Sequence, residues 1–146
     1  MVDKAYFDKV ASDWVVKCEN EIRTWDRYEK FKLGYFRRDW SISRRSSRGG
    51  WYRQGPGINI AMSRYCFDFI LDRVYEYPSF DADPVIGGFV PKHKDHYLAC
   101  VVCHEMAHAA QFYAYNVLNA PKGAPHGPDF RQPYARLRQK LFNHLL

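Results

Sequence analysis

The stretch His104-Glu105-Met106-Ala107-His108 constrains this chain more than any other. Residues four apart on an α-helix share a face about one turn apart, so the two imidazoles can aim at one point. Glu105 lies one step round the helix from them. Two histidines with that spacing suit Zn²⁺, and an adjacent carboxylate that is not a ligand can accept a proton from a water activated by the metal. The flanks, from Tyr97 to Tyr115, contain no Gly or Pro and are dominated by apolar residues, which predicts one buried helix capped by Asp95. Two histidines and a glutamate in so apolar a helix are costly to bury without partners, and a metal ion provides them.

Choosing a third ligand narrows the chemistry. A catalytic zinc takes three protein ligands and keeps one position for water. No Glu follows Glu105, which excludes a downstream helical glutamate. Gln111 and Ala114 occupy the last two fixed positions of the longer H-E-x-x-H-x-x-G-x-x-H pattern, which therefore fails. His126, Asp129 and His144 remain. His126 is the choice, because it sits in a Gly/Pro loop just before a helix and Gly127 permits close approach. Asp129 is expected to cap that helix or orient a ligand, and His144 to lie on the surface. His93 and His96 are read as surface residues or as supports for the ligands. Cys100 shares the face of His104 and His108, but packing in the core is the better reading.

Length and composition set the frame. The chain has 146 residues, 47% of them hydrophobic and 17% aromatic, as expected for one globular domain over 1–146 with a real core. No apolar run approaches a membrane span, and Met1-Val2-Asp3-Lys4 does not begin a signal peptide, so a cytoplasmic, nucleoid or nuclear address and no membrane partner are expected. Cys18, Cys66, Cys100 and Cys103 sit in apolar helical patterns, where reduced thiols act as small hydrophobes.

Taken in order, residues 3–31 predict an amphipathic helix with Phe7, Trp14, Cys18, Ile22 and Trp25 on its apolar side. Arg37 to Ser43, Trp51-Tyr52-Arg53 and Ile58 to Met62 read as three strands of a small antiparallel meander, the only β structure expected. A helix from Ser63 through Val74 follows, then an irregular loop over 78–94. Pro128 opens a last helix with Phe130, Tyr134, Leu137, Leu141 and Leu145 as its apolar stripe. The fold class is α+β.

Net charge is +6, and it is uneven: from Arg37 to Arg64 there are seven arginines against the single acid Asp39. A one-signed patch beside aromatics is the footprint of a polyanion partner. Arg44, Arg45, Arg48 and Arg53 are candidates to contact phosphates, with Trp40, Trp51 and Tyr52 stacking on exposed bases of single-stranded DNA or another nucleic acid.

His104-Glu105-Met106-Ala107-His108 followed by His126-Gly127-Pro128-Asp129-Phe130 resembles the SprT-like metalloprotease domain, that of bacterial SprT proteins and of the DNA-dependent protease Spartan. The resemblance extends to Trp40-Ser41-Ile42-Ser43, Gly49-Gly50-Trp51-Tyr52 and Gly57-Ile58-Asn59-Ile60, and covers roughly residues 5–142. It implies a minimal zincin-like fold with one catalytic Zn²⁺, His104, His108 and His126 as ligands and Glu105 as general base. It further implies a protease acting on protein substrates that are associated with or crosslinked to DNA. The chain lacks the two Cys pairs of the zinc ribbon found in many bacterial relatives. The alternative is a catalytically weak or inactive zinc-containing module that binds DNA or protein. Nothing in the residues sets the oligomeric state or identifies an oxyanion donor, for which Tyr97, Tyr134 or an arginine is a candidate.

Overall fold

The computed structural model describes residues 4–39, 57–61, 73–74, 76 and 82–146. They form a mixed arrangement of helices and a small sheet around one central helix. That helix, α2 (His96–Val117), is buried almost without interruption from Leu98 to Ala110. Apolar residues on every side make it an interior helix, and it is covered by neighbours in three directions. The N-terminal helix α1 (Lys4–Ile22), the strand β2 (Gly57–Ala61) and the late helix α3 (Pro128–Leu137) all pack on it. Each fully buried large apolar side chain contributes about 1.5–3 kcal/mol. Leu98, Val102 and Met106 alone therefore hold α2 firmly in place.

Helix α1 presents Phe7, Ala11, Trp14, Val15, Cys18 and Ile22 to the core, the spacing its sequence implies. It ends at Ile22 and does not run on to residue 31. Beyond it the chain descends through turns closed by Trp25 N–H to Ile22 O, Tyr28 N–H to Trp25 O and Phe31 N–H to Tyr28 O, with Arg27 left-handed at φ 73°. These three-residue steps keep Trp25, Tyr28 and Phe31 on one side, which imitates helical periodicity in the sequence. Their rings dock on the far half of α2, Tyr28 and Phe31 lying 5.5 and 5.6 Å from Tyr113.

The sheet corrects the expected meander. Strand β1 (Tyr35–Asp39) pairs directly with β2, and the pairing is parallel, with Tyr35 opposite Gly57 and Arg38 opposite Ile60. In an antiparallel meander the first and third strands are separated by the second. Here they are hydrogen-bonded to each other. Alternation of side chains marks a strand but carries no information about its neighbour or direction, and a parallel pair needs only a long enough crossover. Gly57 is required at the pairing, because a Cβ there would collide with the ring and carbonyl of Tyr35. The expected strand at Trp51-Tyr52-Arg53 and most of the expected helix from Ser63 lie outside the described residues. The end of that helix is corrected: Val74 forms an antiparallel bridge with Phe89, N–H to O at 2.7 and 3.1 Å. Gly88, at φ 123°, lets the loop approach the carbonyl of Val74.

Asp95 stands at the N-cap position of α2 but its carboxylate makes no capping bond there. It accepts the Tyr6 hydroxyl instead, at 2.6 and 2.7 Å, and so ties α1 to the start of α2. After α3 the chain widens into a π-helical turn, Arg138–Phe142, and a short 3₁₀ turn, Asn143–Leu145. The π turn shifts the register of the apolar stripe. Phe142 is consequently buried and Leu145 exposed, where a continuous α-helix would have buried Leu141 and Leu145.

Candidate metal centre

Helix α2 carries His104 and His108 on one face, their ring centres 5.0 Å apart. His126 reaches them from the loop after α2. That loop begins with Asn119 in the left-handed region at φ 59°, while the N–H groups of Leu118 and Ala120 both return to Ala114 O. A left-handed residue just past a helix reverses the chain and satisfies the last carbonyls. Gln111 on α2 then donates its side-chain amide to Ala124 O at 3.0 Å, and Gly127 N–H bonds to the same carbonyl at 3.1 Å. These bonds set His126 over the motif helix. At Gly123 a Cβ would lie 2.5 Å from Asp129 Oδ2, so a larger residue would first have to turn that exposed carboxylate aside.

The three Nε2 atoms converge. His108 Nε2 lies 3.1 Å and His104 Nε2 3.3 Å from His126 Nε2. One ligand atom from each of the three residues lies within 4.8 Å of the others. An ion bound at 2.0–2.1 Å by tetrahedral nitrogens separates them by about 3.3 Å, so the two measured edges fit a metal of zinc's size. Burial lowers the pKa of all three imidazoles, that of His108 to about 4 and that of His104 well below the ordinary value. Mutual repulsion among the rings adds to the effect at His104 and His108. Neutral imidazole is the protonation state that ligates a cation. Glu105, on the same helix, is buried at 3% exposure.

Phe130, fully buried in the first turns of α3, touches every imidazole of the cluster. Behind it lies Tyr134, whose ring is 5.2 Å from His104. As an oxyanion donor Tyr134 is corrected: its hydroxyl is committed to Glu76, Cys100 and Arg138 inside the core. Cys100 belongs to that same buried group and is not part of the three-residue cluster. His93 is exposed beside Asp95, and buried His96 accepts Lys92 N–H on Nδ1 at 3.0 Å. Asp129 and His144 are exposed, and neither joins the cluster. Arg44, Arg45, Arg48, Arg53, Trp40, Trp51 and Tyr52 lie outside the described residues. Three supporting residues were not singled out from the sequence: Gln111, Phe130 as a ring beneath the site, and Glu76. Only Phe130 left a signal, as the first residue of the apolar stripe expected in the last helix.

Among the described residues no helix is long and apolar enough to cross a membrane. No curated protein and no solved structure matches the chain. The part that holds all three imidazoles and Glu105, residues 89–144, matches the family model for the SprT-like family.

Proposed function

We propose that this protein is a zinc-dependent metallopeptidase with a minimal zincin-like fold. The observation that carries the reading is the convergence of the His104, His108 and His126 imidazoles beside Glu105, with His126 Nε2 at tetrahedral-edge distance from each of the other two. Three nitrogen donors and no thiolate suit Zn²⁺ and leave a position for solvent. When bound, zinc supplies Lewis acidity, polarising a peptide carbonyl and making water acidic enough to be deprotonated near neutrality.

The residues of the chain do the rest. His104 and His108 are fixed by the rigid core helix, and His126 by the Gln111-anchored loop, so the ligand geometry is set before any substrate arrives. Glu105 accepts a proton from the attacking water and delivers it to the leaving amine. Burial strengthens its electrostatic hold on the proton in flight. Phe130 seals the inner side of the site against bulk water.

The substrates proposed are proteins associated with or crosslinked to DNA. Support comes from the arginine-rich stretch with Arg44, Arg45, Arg48 and Arg53, interleaved with Trp40, Trp51 and Tyr52. Affinity for single-stranded DNA that weakens steeply with salt, and less steeply once these arginines are alanine, is expected. Salt-independent binding contradicts this part of the proposal.

Glu105→Gln tests the peptidase. The variant is expected to keep its zinc, measured by metal analysis, and to lose about 10²–10⁴-fold in casein or histone cleavage, with or without DNA. Full cleavage by zinc-loaded Glu105→Gln contradicts the mechanism. No cleavage by the wild type under any of these conditions favours a zinc-containing binding module.

A further inference from the structure

Directly beneath the imidazole cluster is a buried polar group that the proposed chemistry does not use. Arg138 is 1% exposed, and its Nη1 donates to Glu76 Oε2 at 2.7 Å and to the Tyr134 hydroxyl oxygen at 3.0 Å. Tyr134, fully buried, donates its hydroxyl to Glu76 Oε1. Arg138 Nε is held by Asn143 Oδ1 at 2.9 Å, and Asn143 in turn donates to Val85 O at 2.9 Å. Three separate parts of the chain meet here: residue 76, the loop at Val85 and the end of α3.

Stability alone does not account for this arrangement. Taking two charges out of water costs several kcal/mol each, and a well-packed apolar pair of the same volume is often as stable. What the ion pair adds is direction. Glu76 and Arg138, with Cys100 beside them, hold the Tyr134 hydroxyl from different sides and so fix where the far end of its ring lies. That ring stacks on Phe130, 5.3 Å between centres and 29° between planes, and meets His104 edge-on at 5.2 Å.

We infer that Glu76 is a positioning residue for His104, acting through Tyr134 and held in place by Arg138. The inference rests on the metal reading of the three histidines. Partners that orient a ligand from outside its coordination sphere typically change metal affinity 10–100-fold when removed. Glu76 has no contact with the imidazoles of its own, so its effect must pass through Tyr134.

The test uses the full chain and three variants: Glu76→Gln, Tyr134→Phe and the two combined. Zinc affinity is measured by competition with a chromophoric chelator, ligand geometry by the visible absorption of the Co²⁺-loaded protein, and folding by circular dichroism and thermal unfolding without metal. Each single variant is expected to lose roughly 10-fold or more in zinc affinity and to shift the cobalt bands. The double variant should lose little more than the worse single one, because both act on one path. Tyr134→Phe keeps the ring and leaves Glu76 paired with Arg138, so it decides the matter if Glu76→Gln does not fold. A lower melting temperature with unchanged affinity and unchanged cobalt bands means a purely structural pair and overturns the inference. Zinc held equally by all four proteins removes the inference alone, whereas a wild type that binds no zinc removes the metal reading with it.

Discussion

The phenyl ring of Phe130 lies nearly flat on the imidazole of His108, with ring centres 4.2 Å apart and planes 25° from parallel. Its centre is also 4.9 Å from the ring of His104 and 5.0 Å from that of His126. One apolar side chain thus sets the tilt of all three candidate ligands. Phe130→Leu is expected to destabilise the metal-free protein by roughly 1–2 kcal/mol, less than the 3–5 kcal/mol of a truncation to alanine, because Leu fills much of the space. Its zinc affinity should fall further than stability implies, by about 10-fold, because a branched aliphatic chain cannot at once stack on His108 and meet the rings of His104 and His126 at an angle. Urea unfolding and chelator competition on the same sample check both; an unchanged affinity contradicts the role.

Proton linkage gives a second expectation. In the folded protein His108 titrates near 4, depressed chiefly by burial and further by His126, against an ordinary value of 6.5. Between those two values the unfolded chain binds the proton and the folded one does not, so the metal-free protein loses stability as pH falls from about 6.5 towards 4. The slope from His108 alone is at most about 1.4 kcal/mol per pH unit. Above 6.5 the ring is neutral in both states and this contribution is constant. Urea unfolding of metal-free wild type and His108→Gln across this range measures it, and the variant should show the flatter profile. Identical profiles would contradict the buried, neutral ring.

The thiols supply a third. Cys18 and Cys103 are fully buried with sulfurs 3.9 Å apart across the α1–α2 interface. The hydrogen bond with Cys18, together with burial, pushes the Cys103 thiol well above its usual pKa, and burial does the same to Cys100. Protonated, enclosed thiols are poor nucleophiles. Iodoacetamide at pH 8 should modify these three residues roughly 100-fold more slowly in the native protein than in urea. Peptide mass mapping reads the difference, and rapid native labelling of Cys103 would mean that α1 separates from α2.

The sequence made the half of the molecule that carries the imidazole cluster legible for physical reasons that are easy to state. An i, i+4 pair of histidines has one geometry on a helix, and the shortage of other acidic or imidazole groups downstream left His126 with few competitors. The expected burial of the motif helix also agrees with α2, since a helix that is apolar all round has no other stable place. Elsewhere the pattern was ambiguous. Trp25, Tyr28 and Phe31 recur at three-residue spacing in successive turns as they would in a helix, which hid the end of α1 at Ile22. Strand alternation from Arg37 and from Ile58 marked parts of β1 and β2 without revealing that they pair with each other in parallel. Glu76 left no trace at all, because a lone glutamate in an irregular stretch reads as solvated until Arg138 is seen beside it.

Zinc K-edge X-ray absorption of the zinc-loaded wild type tests the central claim most directly. Three imidazole nitrogens at about 2.0–2.1 Å and one further light atom from solvent are expected. A sulfur scatterer at about 2.3 Å, or four protein ligands with no position for water, would contradict the proposed hydrolase.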